Sequence, residues 1–153
     1  MTSSKKAGRY ERIIIQLGGL LSKPGDINSR MATISSVLHH KMDGFFWTGF
    51  YMLNNGELMV RLYQGPVACQ LLKKDTGVCW AGINQQKTIV VANVHDFTDH
   101  IACDARSQSE IVVPVRDKKG DIVGVLDVDS SELNTFDETD QLYLEKIVAM
   151  IYA

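Results

Sequence analysis

The spacing of apolar residues predicts two helices at the start of the chain. Over residues 10–21 apolar side chains recur every three or four positions, as on one face of an amphipathic helix, until the Lys-Pro-Gly segment 23–25 interrupts the pattern. Asp26 can cap a second helix, whose apolar positions recur over residues 27–42. A pair of helices therefore precedes the rest of the chain.

After residue 44 the pattern changes to the alternating, aromatic and β-branched sequences of strands. Two hairpins are predicted, the first around an Asn-Asn-Gly turn and the second around a turn that ends in Gly120. Their strands are residues 45–53 with 57–63, and residues 109–116 with 121–129.

Between the hairpins we predict a short helix over residues 78–83, a strand over residues 88–92 and a long polar loop over residues 93–108. Thr135 and Glu138 have the spacing of a capping box at the start of a closing helix. This order of elements predicts an α+β fold, in which a central antiparallel β-sheet is flanked by N-terminal and C-terminal helices.

Length and composition indicate one ordinary globular domain. The chain has 153 residues, of which 45% are hydrophobic and 22% charged. We expect a flexible N-terminus over the small, polar residues 1–8 and a single domain over residues 9–153. A net charge of -2 gives no positive field for nucleic acid, and no apolar run reaches membrane-spanning or signal-peptide length. We therefore expect a cytoplasmic protein without nucleic-acid or membrane partners.

The long loop contains Cys103, the first candidate for a catalytic residue. A thiol is nucleophilic as its thiolate, and a neighbouring cation such as His100 or Arg106 could lower its pKa. The alternative is that Cys103 is a small buried apolar residue on a turn.

Cys69 and Cys79 lie among small residues at predicted loop positions, outside the predicted core. Either could meet Cys103 in space and condense with a sulfenic acid formed there. A zinc site of the three cysteines with His95, His100 or Asp104 is the competing hypothesis. Because the chain has no Cys-x-x-Cys pair, which structural zinc sites usually contain, we predict no metal.

Two carboxylates are predicted on one face of a covered strand. Strand side chains alternate, so Asp127 and Asp129 share a face, and Glu110 on the neighbouring strand could join them. Crowded acids in a poorly hydrated place need a proton or a cation, such as an ammonium group. The alternative is that Asp127 and Asp129 are the solvated end of a strand that enters a turn at Ser130 and Ser131.

Trp47 and Tyr51 share a face of the first predicted strand, and Gly49 between them would leave room beside their rings. Such aromatics are commonly core residues. A thiol, carboxylates and aromatic rings together, however, describe a pocket for a small zwitterionic amino acid.

Six segments in this order resemble the free methionine-(R)-sulfoxide reductases, which are enzymes built on a GAF domain. The resemblance extends over residues 45–138 and its helical flanks also fit. The segments are WTGFY (47–51), QGPVAC (64–69), GVC (77–79), HIACD (100–104), SEIVVP (109–114) and GVLDVDS (124–130).

The resemblance implies a GAF-like fold, a catalytic thiolate at Cys103, a resolving thiol at Cys69, and Cys79 as an additional or alternative recycling thiol. It also implies free methionine (R)-sulfoxide as substrate, thioredoxin as external reductant and no bound cofactor. Trp80 stands where the family pattern has a small residue, which puts the packing at Cys79 in question. The implied substrate-binding residues are Trp47, Tyr51, Glu110, Asp127 and Asp129.

The other functional class is a non-catalytic GAF module that senses a small ligand or nucleotide. Asn134, Phe136, Asp137 and Glu138 weakly resemble a motif of nucleotide-binding GAF domains, without its lysine. For either class, the exposed side of the N-terminal helix pair would suit a homodimer.

Overall fold

The computed structural model describes residues 1–99 and 103–153 of the chain. These residues form four α-helices around a six-stranded antiparallel sheet, whose strand order is β3-β2-β1-β6-β5-β4. The predicted α+β fold and its central antiparallel sheet are confirmed. The elements are α1 (Ser3–Leu21), α2 (Ile27–Lys41), β1 (Trp47–Asn54), β2 (Glu57–Gln64), β3 (Leu71–Leu72), α3 (Gly77–Gln85), β4 (Ile89–Val91), β5 (Ser109–Arg116), β6 (Ile122–Ser130) and α4 (Glu138–Val148).

The sheet separates two apolar clusters. Alternate strand residues such as Phe50, Ile111 and Leu126 pack on one face against α1, α2 and α4. Their neighbours Val112 and Val125 point to the opposite face, which α3 covers. The period of two along each strand therefore supplies both faces with apolar side chains, as expected for a sheet covered on both sides.

Helix α1 begins at Ser3, so residues 3–8, expected to be a flexible terminus, are helical. The Thr2 side chain caps the helix by accepting a hydrogen bond from the Lys5 N–H. Lys6 is buried, and its ammonium lies 2.6 Å from the Asp140 carboxylate of α4. This distant ion pair holds the first turn against the domain, and composition alone does not reveal it.

Helix α4 begins two residues later than the predicted capping box implies. Asp137 is the cap, and Asp140 completes the box by accepting a hydrogen bond from the Asp137 N–H. The Thr135 hydroxyl instead donates to Ser130. The prediction was wrong because two overlapping segments offered capping residues, and contacts far along the chain favour the second.

The other predicted helices and strands agree closely with the structure. Asp26 caps α2 through the Ser29 N–H, and both hairpins form as predicted. The two-residue strand β3 was missed because it is too short to show periodicity. No helix in the described ranges has the length and apolar character needed to cross a membrane.

Candidate functional site

The register of three strands brings the predicted acids together. Asp129 of β6 pairs with Trp47 of β1 on one side and with Glu110 of β5 on the other. Asp127 lies two residues before Asp129 in β6, opposite Gly49. Directly paired residues of antiparallel strands project from the same face, so the three carboxyl groups share one small area of the sheet.

A cavity of about 50 Å³ lies above these carboxyl groups, between the sheet and α3. Part of its wall comes from the start of α3, and part from the segments before β3 and before β5. The lining residues are Phe46, Trp47, Tyr51, Val67, Ala68, Leu72, Thr76, Gly77, Val78, Cys79, Cys103, Asp104, Ser107, Glu110, Asp127 and Asp129.

Burial raises the pKa of all three acids, and repulsion from neighbouring carboxylates adds to the shift at Glu110 and Asp129. Glu110 and Asp127 are each only 5% exposed, and Asp129 is partly buried. Burial raises the pKa of Glu110 well above its ordinary value, and the charges of Asp127 and Asp129 raise it further. Burial also raises the pKa of Asp129, with the charge of Asp127 adding to the effect. Among the described residues, no ion pair involves any of the three.

Asp127 lies beside both Glu110 and the Cys79 thiol. Burial raises its pKa, while hydrogen bonds from Glu110 and the Cys79 thiol act in the opposite direction. Its Oδ1 atom is nevertheless buried without a hydrogen-bond partner in the described ranges. A buried, unpaired oxygen of this kind is costly, and a donor on a bound ligand would relieve that cost.

Two of the three cysteines form a disulfide at the edge of the cavity. Cys69 and Cys103 are bonded, with their Cα atoms 5.6 Å apart. Cys103 is exposed and lines the cavity, whereas Cys69 is half-buried. The Tyr51 hydroxyl donates a 3.0 Å hydrogen bond to the Cys69 carbonyl, which ties the disulfide to the sheet.

Cys79 lies inside the domain on α3 and is 4% exposed. The expectation that it lies outside the core was therefore wrong, because a helix follows Thr76 and turns the thiol toward the sheet. Burial raises its pKa well above the ordinary value, and the charge of Asp127 adds to that effect. Cys79 is thus a protonated donor to Asp127. Trp80, whose size put this packing in question, is buried beside it and donates to the Leu72 carbonyl.

The aromatic wall is more crowded than expected. The Trp47 ring stacks between Tyr51 and Tyr63, at centroid distances of 5.7 and 5.2 Å. A Cβ on Gly49 would collide with Tyr63 and would lie 2.8 Å from the Trp47 ring. The room left by Gly49 is thus filled by protein, and Tyr63 is a supporting residue that the face pattern of β1 alone did not reveal.

The predicted cationic neighbours of Cys103 are only partly described. Arg106 pairs with Asp104 at 2.7 Å and lies over the Phe46 ring. Hydrogen bonds from Arg106 lower the pKa of Asp104 to about 2. The charge of Arg106 is therefore shared with a carboxylate, and His100 lies outside the described residues.

Comparison with known proteins places this chain in a family. Residues 29–151 match the GAF domain. The chain is 40% identical to GAF domain-containing protein A of Dictyostelium discoideum, over 99% of this chain and 95% of that protein. It is 36% identical to free methionine-R-sulfoxide reductase of Escherichia coli, over 79% of this chain and 73% of that protein.

The chain belongs to the GAF domain family. Within that family it is a homologue of the free methionine-R-sulfoxide reductases, as the resemblance of its motifs predicted. The X-ray structure of the Neisseria meningitidis free methionine-R-sulfoxide reductase in complex with its substrate superposes with a TM-score of 0.91 at 38% identity. That match covers 96% of this chain and 88% of the Neisseria chain.

All eight predicted site residues of this GAF domain lie at the cavity or at its disulfide. The zinc hypothesis of three cysteine ligands does not fit the disulfide, which occupies two of the sulfurs. His95 is exposed and is not among the described lining residues. Ser107, Thr76 and the first two residues of α3, Gly77 and Val78, line the cavity but were not predicted, since small side chains of these kinds carry no chemical signature.

The residues that resemble a nucleotide-binding motif have structural roles in this GAF domain. Phe136 packs in the cluster beneath α4, and Asp137 caps that helix. Asn134 donates a backbone hydrogen bond to Ala92 from a left-handed conformation, with φ of 55°. None of them is among the described residues that line the cavity.

Proposed function

We propose that this protein reduces free L-methionine (R)-sulfoxide to L-methionine, using Cys103 as nucleophile and thioredoxin as the final electron donor in the cytoplasm. The observation that carries the proposal is that a cysteine lies beside a cavity that contains several acids. An exposed Cys103, already paired with Cys69, borders a cavity whose buried acids have no cationic partner in the described part of the chain. The named homologues with this fold support the same reaction.

The cavity suits both ends of the substrate. The carboxyl cluster would take the substrate ammonium, forming charge-assisted hydrogen bonds worth about 1.5–3 kcal/mol each. The unpaired Oδ1 of Asp127 is the oxygen that such a donor would satisfy. Trp47 and Tyr51 would contact the methylthio end. A closed cavity that holds both ends would exclude methionine sulfoxide within a polypeptide.

In the first step, the Cys103 thiolate attacks the sulfoxide sulfur, an S–S bond forms, and the sulfoxide oxygen takes one proton. The S–S bond and the substrate S–O bond then break as the hydroxyl oxygen is transferred to the Cys103 sulfur. Cys103 is thereby oxidised by two electrons to sulfenic acid, and methionine leaves with its sulfur reduced by two electrons. Glu110 and Asp129 are the candidate proton donors. We favour Glu110, because burial and both neighbouring acids raise its pKa and so favour its protonated form.

In the second step, a thiol attacks the sulfenic acid, water leaves and a disulfide forms. We assign this role to Cys69, since it is the cysteine bonded to Cys103. The exposed Cys103 and half-buried Cys69 are accessible to an external dithiol, which returns both to thiols by exchange. Cys79 is buried and donates to Asp127, so we expect it to support the pocket more than recycling.

Reductant consumption tests the proposal. A thioredoxin-coupled NADPH assay should show turnover on the R epimer of free methionine sulfoxide, and little on the S epimer or on a sulfoxide-containing protein. A non-catalytic GAF sensor would bind ligand without consuming NADPH. Comparable rates on both epimers, or on peptide-bound sulfoxide, would refute the proposed substrate.

Three matched serine variants separate the cysteine roles. Cys103→Ser should release no methionine even in a single turnover, because no sulfenic acid can form. Cys69→Ser should release about one equivalent without thioredoxin and then stall, with Cys103 trappable by a sulfenic-acid probe. Cys79→Ser should continue to cycle with a raised KM. Stoichiometric release by Cys103→Ser would exclude the mechanism, and a stalled Cys79→Ser beside a cycling Cys69→Ser would exchange the two supporting roles.

A further inference from the structure

Three side chains at the floor of the cavity direct one sulfur and two carboxyl groups to the same point. Cys79, Glu110 and Asp127 are each at least nine-tenths buried. The Cys79 Sγ and one oxygen of each acid lie within 4.8 Å of one another. Within the described ranges Asp127 Oδ1 has no hydrogen-bond partner, so the cluster has an unused acceptor in a buried place.

This geometry is close to that of a tetrahedral metal site. Zinc bonds of about 2.0 Å to oxygen and about 2.3 Å to sulfur place neighbouring ligand atoms about 3.3–3.5 Å apart. Side-chain rotations that bring the three atoms about 1 Å closer would satisfy that geometry. A thiolate favours zinc or cadmium over magnesium or calcium, which prefer oxygen ligands throughout.

We propose that Cys79, Glu110 and Asp127 form a binding site for a thiophilic divalent cation such as Zn²⁺ or Cd²⁺. The cation replaces the proton of the thiol and those of the acids, and three negative ligands then surround two positive charges. The fourth coordination position faces the cavity. This cation is an inhibitor and not a resident cofactor, because it occupies the acids that would hold the substrate ammonium. That consequence rests on the proposed function, whereas the binding itself does not.

The disulfide makes a clean experiment possible. In the oxidised protein Cys69 and Cys103 are bonded to each other, so Cys79 is the remaining thiol of three. Titration of this form with Cd²⁺ alone should give a saturable ultraviolet thiolate-to-cadmium charge-transfer band, at one ion per chain. The oxidised form cannot turn over, so the result is independent of any activity.

Variants identify the other ligands. Cys79→Ser should lose the band, and Glu110→Gln and Asp127→Asn should each weaken Cd²⁺ binding at least tenfold. Asp121→Asn, at an exposed acid outside the cavity, should bind as the parent protein does. Cd²⁺ should also raise the Tm of the parent protein but not that of Cys79→Ser, because the ion binds the folded state.

Two outcomes would overturn the proposal. One is a folded oxidised protein, as judged by circular dichroism, that shows no saturable band. The other is unchanged Cd²⁺ affinity in both Glu110→Gln and Asp127→Asn. In the reduced enzyme, Cd²⁺ should compete with methionine sulfoxide and be reversed by a chelator. Binding without competition would remove the inhibitory role and leave the site in place.

Discussion

Two buried carboxylate clusters lie on opposite faces of the sheet and are built in opposite ways. Beneath α4, Asp140 is 1% exposed and has every partner that a carboxylate needs. It accepts hydrogen bonds from the Lys6 ammonium and the Tyr10 hydroxyl, both at 2.6 Å, and from the Asp137 N–H. Beneath α3, Glu110, Asp127 and Asp129 have raised pKa values and no cationic partner in the described ranges, where one Asp127 oxygen also lacks a hydrogen-bond partner.

This difference in hydrogen-bond partners distinguishes a carboxylate that stabilises the fold from carboxyl groups that are available to a ligand. Asp140 joins α1 to α4 and lets the first turn of the chain form against the domain. Glu110, Asp127 and Asp129 do not stabilise the packing of their strands, because buried like charges cost free energy. Apolar side chains at these positions would stabilise it better. A group that costs stability and is aimed at a cavity is best explained by a ligand that completes it.

The largest expected effect comes from disrupting the complete cluster, in which Asp140 accepts hydrogen bonds from Lys6, Tyr10 and the Asp137 N–H. Asp140→Asn removes the nearer and more buried of the two carboxylates that pair with the Lys6 ammonium, leaving Asp137 at 3.4 Å, which should lower the free energy of unfolding by up to about 3–5 kcal/mol. For a domain of this size that corresponds to a fall in Tm of about 6–20 °C. Thermal denaturation measures the change, and kcat/KM of the folded protein should be preserved.

Asp43 provides the matched control for Asp140. It pairs with Arg9 at 3.3 Å, but its side chain is 73% exposed. Asp43→Asn should therefore cost about 1 kcal/mol or less. An equal loss in both variants would show that burial does not distinguish the two ion pairs.

The second effect should lower activity and leave stability unchanged or higher, the opposite of the effect of Asp140→Asn. Glu110→Gln removes a charge-assisted hydrogen bond to the substrate and the proposed proton donor, so kcat/KM should fall at least 10- to 150-fold, the equivalent of about 1.5–3 kcal/mol. The free energy of unfolding at pH 8 should stay the same or rise, because a repulsive buried acid is gone. Steady-state kinetics and urea unfolding on one preparation test both. A loss of stability as large as that of Asp140→Asn would show that the acids at the cavity stabilise the fold, and would contradict the distinction between the two clusters.

The pattern of strand residues predicted most of the incomplete cluster, which consists of Glu110, Asp127 and Asp129. A period of two placed Asp127 and Asp129 on one face, and both lie there. The pairing of Glu110 with Asp129 could only be suspected, because register depends on how the turn between β5 and β6 closes, and a register shift occurs beside that turn. The filling of the space at Gly49 by Tyr63 depends on the β1–β2 pairing, which has a register shift there.

The complete cluster could not be predicted. Lys6 and Asp140 are 134 positions apart, and each lies in a segment whose local pattern has another explanation. Lys6 belongs to a polar terminus, and Asp140 looks like one of several acids at the start of a helix. Local periodicity reports which face a residue occupies, whereas a pair this distant depends on how whole elements pack.

The third effect is a pH dependence of stability that belongs to the incomplete cluster. The acids titrate near pH 4 in the unfolded chain, whereas burial raises the pKa of Glu110 and Asp129 in the folded state. Above pH 4 the folded state therefore binds more protons, so stability is fully present below that pH and falls as pH rises toward the folded pKa values. The slope is about 1.4 kcal/mol per pH unit for each proton.

Urea unfolding between pH 5 and pH 8 measures that slope. Glu110→Gln should flatten it, and Asp140→Asn should lower the whole curve without flattening it. A parent protein whose stability is constant or rises over this range would contradict the assignment of shared protons to the cavity.

The smallest effect compares two tyrosines, one at each cluster. The Tyr10 hydroxyl donates to the charged Asp140 at 2.6 Å, whereas Tyr51 donates to the neutral Cys69 carbonyl at 3.0 Å. Hydrogen bonds to charged groups contribute about 1.5–3 kcal/mol and neutral ones about 0.5–1.5 kcal/mol, so Tyr10→Phe should cost about 1 kcal/mol more than Tyr51→Phe. Urea unfolding of the two variants measures the difference directly. Tyr51→Phe should instead alter KM for methionine sulfoxide, since its ring borders the cavity. If Tyr51→Phe proved the more destabilising, the cavity side would hold the domain together more strongly than the Asp140 side, and the distinction between the two clusters would fail.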